Sequence, residues 1–233
     1  MTVSRDLLDC IEIETAAHPT HAVIWMHGLG ADGSDFEPIV PELRLTHQPA
    51  VRFVFPNAPI MPVSVNNGMS MPAWYDIYAL GAMPAANNAL ARKEDAAGIR
   101  QSQKAIEALI EREIARGVPA EHIVLAGFSQ GCAMALYTGL RYPQKLAGIV
   151  ALSGYLPLAD STADERAAEN LDTPIFLAHG TQDPVVVLPR AEASRDALLQ
   201  LGYNVQWHTY PMPHSVSGPE VRDISAFLRQ IFV

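Results

Sequence analysis

Cysteine is nearly absent: Cys10 and Cys132 are the only two among 233 residues. Two thiols with no metal-ligand spacing between them exclude a disulfide scaffold and a zinc site, and they suit a reduced, cytoplasmic protein. Positive charge is also scarce. Sixteen Lys and Arg stand against 25 Asp and Glu, a formal charge of −9. Neutralising phosphates requires a basic face, so nucleic acid is excluded as a partner. An anionic membrane surface would not attract such a chain either. Long apolar runs are missing too. The first, 22–26, is only strand-length and follows no basic region. Neither a signal peptide nor a membrane span is expected.

What the chain does have is apolar residues in short, alternating blocks. Hydrophobic residues make up 49%, enough for a large core, and the length suits one α/β domain spanning 1–233. Strand-like runs fall at 11–13, 22–26, 52–55, 123–126, 148–152, 174–178 and 205–210. Helical patterns lie between them, at about 94–116, 130–141, 188–201 and 219–231. Gly117 and Gly202 stand where a helix C-terminus wants glycine, and Pro143 follows the second helix. Short β-runs alternating with helices predict a mostly parallel sheet covered on both faces.

One segment breaks this rhythm. Residues 56–92 hold Pro56, Pro59, Pro62, Pro72 and Pro84, and four of the eight methionines. Asn66-Asn67-Gly68 between short apolar stretches reads as the turn of a small hairpin. A long irregular loop beside a strand's carboxyl end is usually functional. Met69, Met71, Trp74 and Tyr75 are therefore expected to wall a substrate pocket, the alternative being that they pack the loop onto the core.

The chemistry is carried by Gly127-Phe128-Ser129-Gln130-Gly131. It joins a β-run to a helical run and has the Gly-x-Ser-x-Gly form of a nucleophile elbow, which exposes one hydroxyl at a strained strand-to-helix turn. A serine needs a base, and the base an acid to orient it. In the α/β-hydrolase arrangement the acid and then the histidine follow the serine in the chain. Three histidines do so. His214 lies in a loop after the last strand-like run and is favoured over His179 and His208, which lie in or at the end of strand patterns. Asp183 lies in a turn after the 174–178 run. It is favoured over Asp160, in a polar surface stretch, and over Asp172, which precedes its strand. The oxyanion hole needs two backbone N–H groups. One comes from Gln130, the other from the glycine-flanked turn after the second strand, at Leu29. That turn, Gly28-Leu29-Gly30-Ala31-Asp32-Gly33, also fits a dinucleotide fingerprint. Against a nucleotide stand Asp32, Asp35 and Glu37 beside the would-be phosphates, and Pro38 and Pro41 in the helix that should hold them. No metal and no cofactor is expected.

Taken in order, His27-Gly28-Leu29-Gly30-Ala31-Asp32-Gly33-Ser34-Asp35-Phe36, Pro56-Asn57-Ala58-Pro59, Trp74-Tyr75-Asp76, Gly127-Phe128-Ser129-Gln130-Gly131, His179-Gly180-Thr181-Gln182-Asp183-Pro184-Val185-Val186 and Tyr210-Pro211-Met212-Pro213-His214-Ser215 resemble the phospholipase/carboxylesterase family. That group includes bacterial carboxylesterases and acyl-protein thioesterases, and this chain looks closest to the former. The resemblance implies a compact α/β-hydrolase without a large cap, with Ser129, Asp183 and His214 as the triad and Leu29 and Gln130 as oxyanion donors. It departs from the family at Cys132, where a second glycine is usual, and at Pro213, often glycine. The expected activity is hydrolysis of short- to medium-chain acyl esters. A lysophospholipase or acyl-protein thioesterase is the alternative on the same machinery, and a non-catalytic binding module is the rival of a different class. The family contains dimers, so a homodimer is open to this chain, with the Met/aromatic rim as either its interface or a substrate wall.

Overall fold

The computed structural model describes residues 7–46, 48–78 and 94–232. Its strands are β1 (Cys10–Glu14), β2 (His21–Met26), β3 (Val51–Pro56), β4 (Ile60–Val63), β5 (Met69–Pro72), β6 (Ile123–Phe128), β7 (Gly148–Leu152), β8 (Ile175–Gly180) and β9 (Val205–Tyr210). Seven of them form one sheet in the order β1-β3-β2-β6-β7-β8-β9. Only β1 runs antiparallel to its neighbour; the other pairings are parallel. The helices are α1 (Ile39–Glu42), α2 (Ala96–Ala115), α3 (Gln130–Gly139), α4 (Thr162–Glu165), α5 (Leu188–Gln200) and α6 (Gly218–Ile231). No described helix is long and apolar enough to cross a membrane.

Alternation along the strands builds two cores, because successive side chains point to opposite faces. Ile24 and Met26 of β2, with Leu125 and Ile149, pack under α2 and α3. Val23 and Trp25, with Val124, Val150 and Phe176, pack with Phe227 and Leu228 of α6. Central strands covered on both faces are apolar throughout, as parallel sheets require. Helix α3 is buried along its whole length. It lies close to the sheet, since a Cβ on Gly139 would come within 2.5 Å of Ile149 Cδ1.

The irregular segment contains a hairpin apart from the main sheet. Strands β4 and β5 pair Ile60 with Pro72 and Val63 with Met69, around left-handed Asn67 (φ 56°) and Gly68 (φ 74°). The hairpin expected around Asn66-Asn67-Gly68 is thus present, its first strand ending at Val63 and its second beginning at Met69. Helix α2 starts at Ala96 because Asp95 caps it, its carboxylate accepting the Gly98 N–H at 3.0 Å. The rest of the 56–92 segment, from 79 onward and including Met83, lies outside the described residues.

Two charged features hold the periphery together. Glu113 on α2 is fully buried and accepts from Arg52 Nη1 at 2.7 Å, Arg112 Nε at 3.0 Å and Arg116 Nη1 at 3.0 Å, tying the helix to β3. At the start of α6, Ser217 and Glu220 form a reciprocal capping box. Glu220 is nevertheless buried, and burial pushes its carboxyl up to about 7.

Candidate active site

Ser129 sits between β6 and α3 at φ 56°, ψ −113°, a left-handed position that costs a non-glycine residue roughly 1–3 kcal/mol. Close approach explains the flanking glycines. A Cβ on Gly127 would lie 2.2 Å from the Gly131 carbonyl carbon, and one on Gly131 would lie 2.1 Å from Met26 O. The strained turn is held by Ser129 N–H donating to Leu152 O at 2.9 Å. Cys132, the first departure from the family pattern, is fully buried and packs against Gly154, where an added Cβ would come within 2.5 Å of its Sγ.

Asp183 and His214 come to the serine from β8 and β9. Gly180 ends β8 so close to the next loop that a Cβ there would lie 2.4 Å from Met212 O and 2.5 Å from Pro213 O. Gln182 N–H donates to Met212 O at 3.1 Å, drawing the Asp183 turn onto the His214 loop. His214 Nδ1 then stands 2.6 Å from Asp183 Oδ2 and Nε2 stands 2.9 Å from Ser129 Oγ. Asp183 is buried, and its Oδ1 accepts from Val185 N–H at 2.8 Å and Val186 N–H at 2.9 Å. A carboxylate so placed accepts the Nδ1 proton and leaves the Nε2 lone pair facing the serine hydroxyl.

The rival histidines are accounted for differently. His179 is fully buried, and its Nε2 lies 2.7 Å from Val186 O and 3.4 Å from Asp183 Oδ2. Burial keeps its imidazole below the usual histidine range. It supports the acid turn without reaching the serine. His208 stacks on Phe176, ring centroids 4.7 Å apart. Of the rival acids, Asp172 pairs with Lys145 at the surface.

The turn after β2 brings Leu29 to the opposite side of Ser129. Gly28 lies against the serine, where a Cβ would meet Ser129 Cβ at 3.4 Å. Gly30 is left-handed at φ 77° and donates to Pro72 O at 2.9 Å. Gly33 packs on β3, where a Cβ would lie 2.5 Å from Phe55 O, and Asp32 Oδ1 accepts from Ser34 N–H at 2.8 Å. Turn and packing needs thus explain the three glycines without a nucleotide.

A cavity of about 340 Å³ opens at Ser129, and both Leu29 and Gln130 line it beside His214. Of the four residues expected to wall the pocket, Tyr75 does so. Trp74 is 1% exposed and lies in the layer beneath, its indole N–H donating to His27 O at 2.9 Å. Met71 packs under Gly30, and Met69 is 65% exposed on the hairpin. An apolar loop residue reads the same in sequence whether it faces a cavity, the core or solvent. Ile77, Val185, Val186, Tyr155 and Arg190 also line the wall; of these, the sequence motifs hold only Val185 and Val186. Tyr75 and Tyr155 join hydroxyls at 2.8 Å, and burial pushes both phenols up. The Arg190 guanidinium lies 3.3 Å over the Tyr155 ring and 3.5 Å from Glu94 Oε1. Position was the available clue: Tyr155 follows the carboxyl end of β7, and Arg190 opens the helix after the Asp183 turn.

The profile of the phospholipase/carboxylesterase family matches residues 8–232. The chain is 44% identical over 222 residues to acyl-protein thioesterase 1 of Neurospora crassa, covering 94% of this chain and 89% of that protein. It is 43% identical over 227 residues to acyl-protein thioesterase 1 of Yarrowia lipolytica, covering 94% and 96%. The crystal structure of SOBER1 from Arabidopsis thaliana matches with a TM-score of 0.82 at 30% identity, over 91% of this chain and 99% of that one. This chain therefore belongs to the phospholipase/carboxylesterase family of α/β-hydrolases and is a hydrolase of ester or thioester bonds.

Proposed function

We propose that the chain cleaves acyl esters and thioesters through a covalent acyl-enzyme on Ser129. The observation that carries this is the continuous contact from Ser129 Oγ to His214 Nε2 at 2.9 Å and from His214 Nδ1 to Asp183 Oδ2 at 2.6 Å. Ser129 Oγ attacks the acyl carbonyl while His214 takes its proton, and Asp183 holds the imidazole in the required tautomer. The N–H groups of Leu29 and Gln130 stabilise the oxyanion of the tetrahedral intermediate. His214 returns the proton to the leaving alcohol or thiol. Water activated by His214 then attacks the acyl-enzyme and releases the acid.

A cavity of about 340 Å³ lies at the small end of ligand pockets, and the buried Tyr75–Tyr155 pair and Arg190 give its wall a polar side. Both features favour short- to medium-chain acyl groups. Acyl-protein thioester hydrolysis is the second reading, favoured by the similarity to acyl-protein thioesterase 1 of Neurospora crassa and of Yarrowia lipolytica. Both free thiols, Cys10 and Cys132, fit work in the reducing cytoplasm. A chain-length series of p-nitrophenyl esters, run beside an acyl thioester and a lysophospholipid, tests the substrate. The account expects kcat/KM to peak among short to medium chains, and a steady rise to the longest chains would contradict it. Ile77→Ala, which enlarges the cavity, should move the optimum toward longer chains by about 1–3 kcal/mol of selectivity between neighbours.

A further inference from the structure

The two N–H groups assigned to the oxyanion hole follow different strands, Leu29 in the turn after β2 and Gln130 at the start of α3 beyond β6, and the pairing between those strands stops short of them. Strands β2 and β6 pair up to Met26 with Gly127. Beyond that point His27–Gly28–Leu29 leaves the sheet after β2, and Ser129–Gln130 leaves it after Phe128, the last residue of β6. Both donors must nevertheless aim at one oxygen, and a misplacement of about 1 Å costs on the order of a hundredfold in rate.

What replaces the missing ladder is a strap made by Trp74 and Tyr75. The Trp74 indole N–H donates to His27 O at 2.9 Å. The Trp74 backbone N–H donates to Gln130 Oε1 at 2.8 Å, and Gln130 Nε2 donates to Tyr75 O at 2.6 Å. The strap is itself anchored to α2, because Ser102 Oγ donates to Trp74 O. His27, Trp74 and Gln130 are each no more than 2% exposed, so water does not compete for these bonds.

His27 completes the connection. Ala58 N–H donates to its Nε2 at 3.0 Å, so the ring proton stands on Nδ1, which donates to Gly28 O at 2.7 Å. Burial keeps this imidazole below the usual histidine range, consistent with a neutral ring. The Gly28 carbonyl and the Leu29 N–H belong to one planar, trans peptide unit and point in opposite directions. Fixing the carbonyl therefore fixes the aim of the N–H. Gln130 does the same for the other donor, since its backbone N–H and its clamped side chain belong to one residue.

We propose that His27, Trp74 and the Gln130 side chain form a brace that sets the spacing and aim of the Leu29 and Gln130 N–H groups, making them positioning residues for the oxyanion. This rests on the hydrolase reading above. It gives Trp74, at first sight a pocket residue, a role in rate and none in chain-length choice.

The test uses Trp74→Phe, which keeps an aromatic ring and loses the indole N–H, and Gln130→Met, which keeps the backbone donor and loses both side-chain bonds. Each should lower kcat by roughly ten- to a hundredfold, up to the loss of one oxyanion donor, with KM changed less than about threefold. Rates are referred to the active fraction, counted by an active-site titrant, so loss of folded protein does not enter. The deciding readout is a trifluoromethyl ketone matched to the acyl group, which adds Ser129 Oγ to its carbonyl carbon and leaves an oxyanion in the hole. Its Ki should weaken by the same factor as kcat/KM falls. A Ki unchanged in both variants, or a full kcat in both, overturns the brace. If the wild-type enzyme ignores the ketone and Ser129→Ala still turns over, the hydrolase reading itself has failed, and the brace falls with it.

Discussion

Replacing Asp183 by Asn tests the orientation of His214 with almost no change in shape. The outcome is set by which atom of the new amide faces which neighbour. Asp183 Oδ1 accepts two backbone N–H groups, from Val185 at 2.8 Å and Val186 at 2.9 Å. An amide nitrogen there would set N–H against N–H, so the amide oxygen must take that side. Its NH₂ then replaces Oδ2, 2.6 Å from His214 Nδ1, and can only donate. Nδ1 becomes the acceptor and the ring proton moves to Nε2, 2.9 Å from Ser129 Oγ. The base then meets the serine with a proton instead of a lone pair. In serine hydrolases with this geometry the exchange costs about 10⁴ in kcat, or about 5.4 kcal/mol at about 1.36 kcal/mol per decade. KM and thermal stability should hardly change, since shape and turn bonds persist. The assay is steady-state hydrolysis of a short p-nitrophenyl ester near neutral pH, with thermal melting in parallel. A loss of less than about tenfold, with the fold intact, would refute the assigned role of Asp183.

Two further expectations concern stability. Glu220→Gln should stabilise the protein at pH 8 and leave it almost unchanged at pH 4. The folded carboxyl lies near 7 against an ordinary 4.5, so the folded state holds the proton through that window while the unfolded chain releases it. Stability is therefore lost as pH rises from about 4.5 to 7, by on the order of 3 kcal/mol, and thermal melting across that range would show a slope that the variant lacks. Glu113→Ala should cost about 3 kcal/mol in denaturant unfolding, because it removes the buried carboxylate shared by Arg52, Arg112 and Arg116 and leaves these cations to the partly exposed Glu12 and Glu14. A cost under about 1 kcal/mol would show that solvent reaches the cluster.

The sheet was legible because its strands are buried on both faces and read as short, unbroken apolar runs between helical patterns. Every expected strand of the seven-stranded sheet appears within two residues of its place, and α5 and α6 within one. The encounter of Ser129, Asp183 and His214 was legible because chain order and loop position leave few candidates once an elbow is recognised. The segment after β3 was not. Trp74 and Tyr75 are adjacent, aromatic and buried, yet one holds His27 O and the other walls the cavity. That difference is one of side-chain direction in an irregular chain, where no period of 2 or 3.6 assigns a face. Arg190 was equally hidden, because its contacts with Tyr155 and Glu94 join distant segments. Glu220 drew no notice in the sequence, because the packing of α6 that buries it is a tertiary contact.

The central claim is that the chemistry passes through the Ser129 hydroxyl. The most direct measurement is the turnover of purified Ser129→Ala on the best ester of the chain-length series, with folding checked by thermal melting. The account predicts a loss of about four to six orders of magnitude in kcat with the melting temperature retained, since the hydroxyl faces the His214 ring across the cavity. A folded variant keeping more than about a tenth of wild-type turnover would contradict it, because no acyl-enzyme could then form at Ser129.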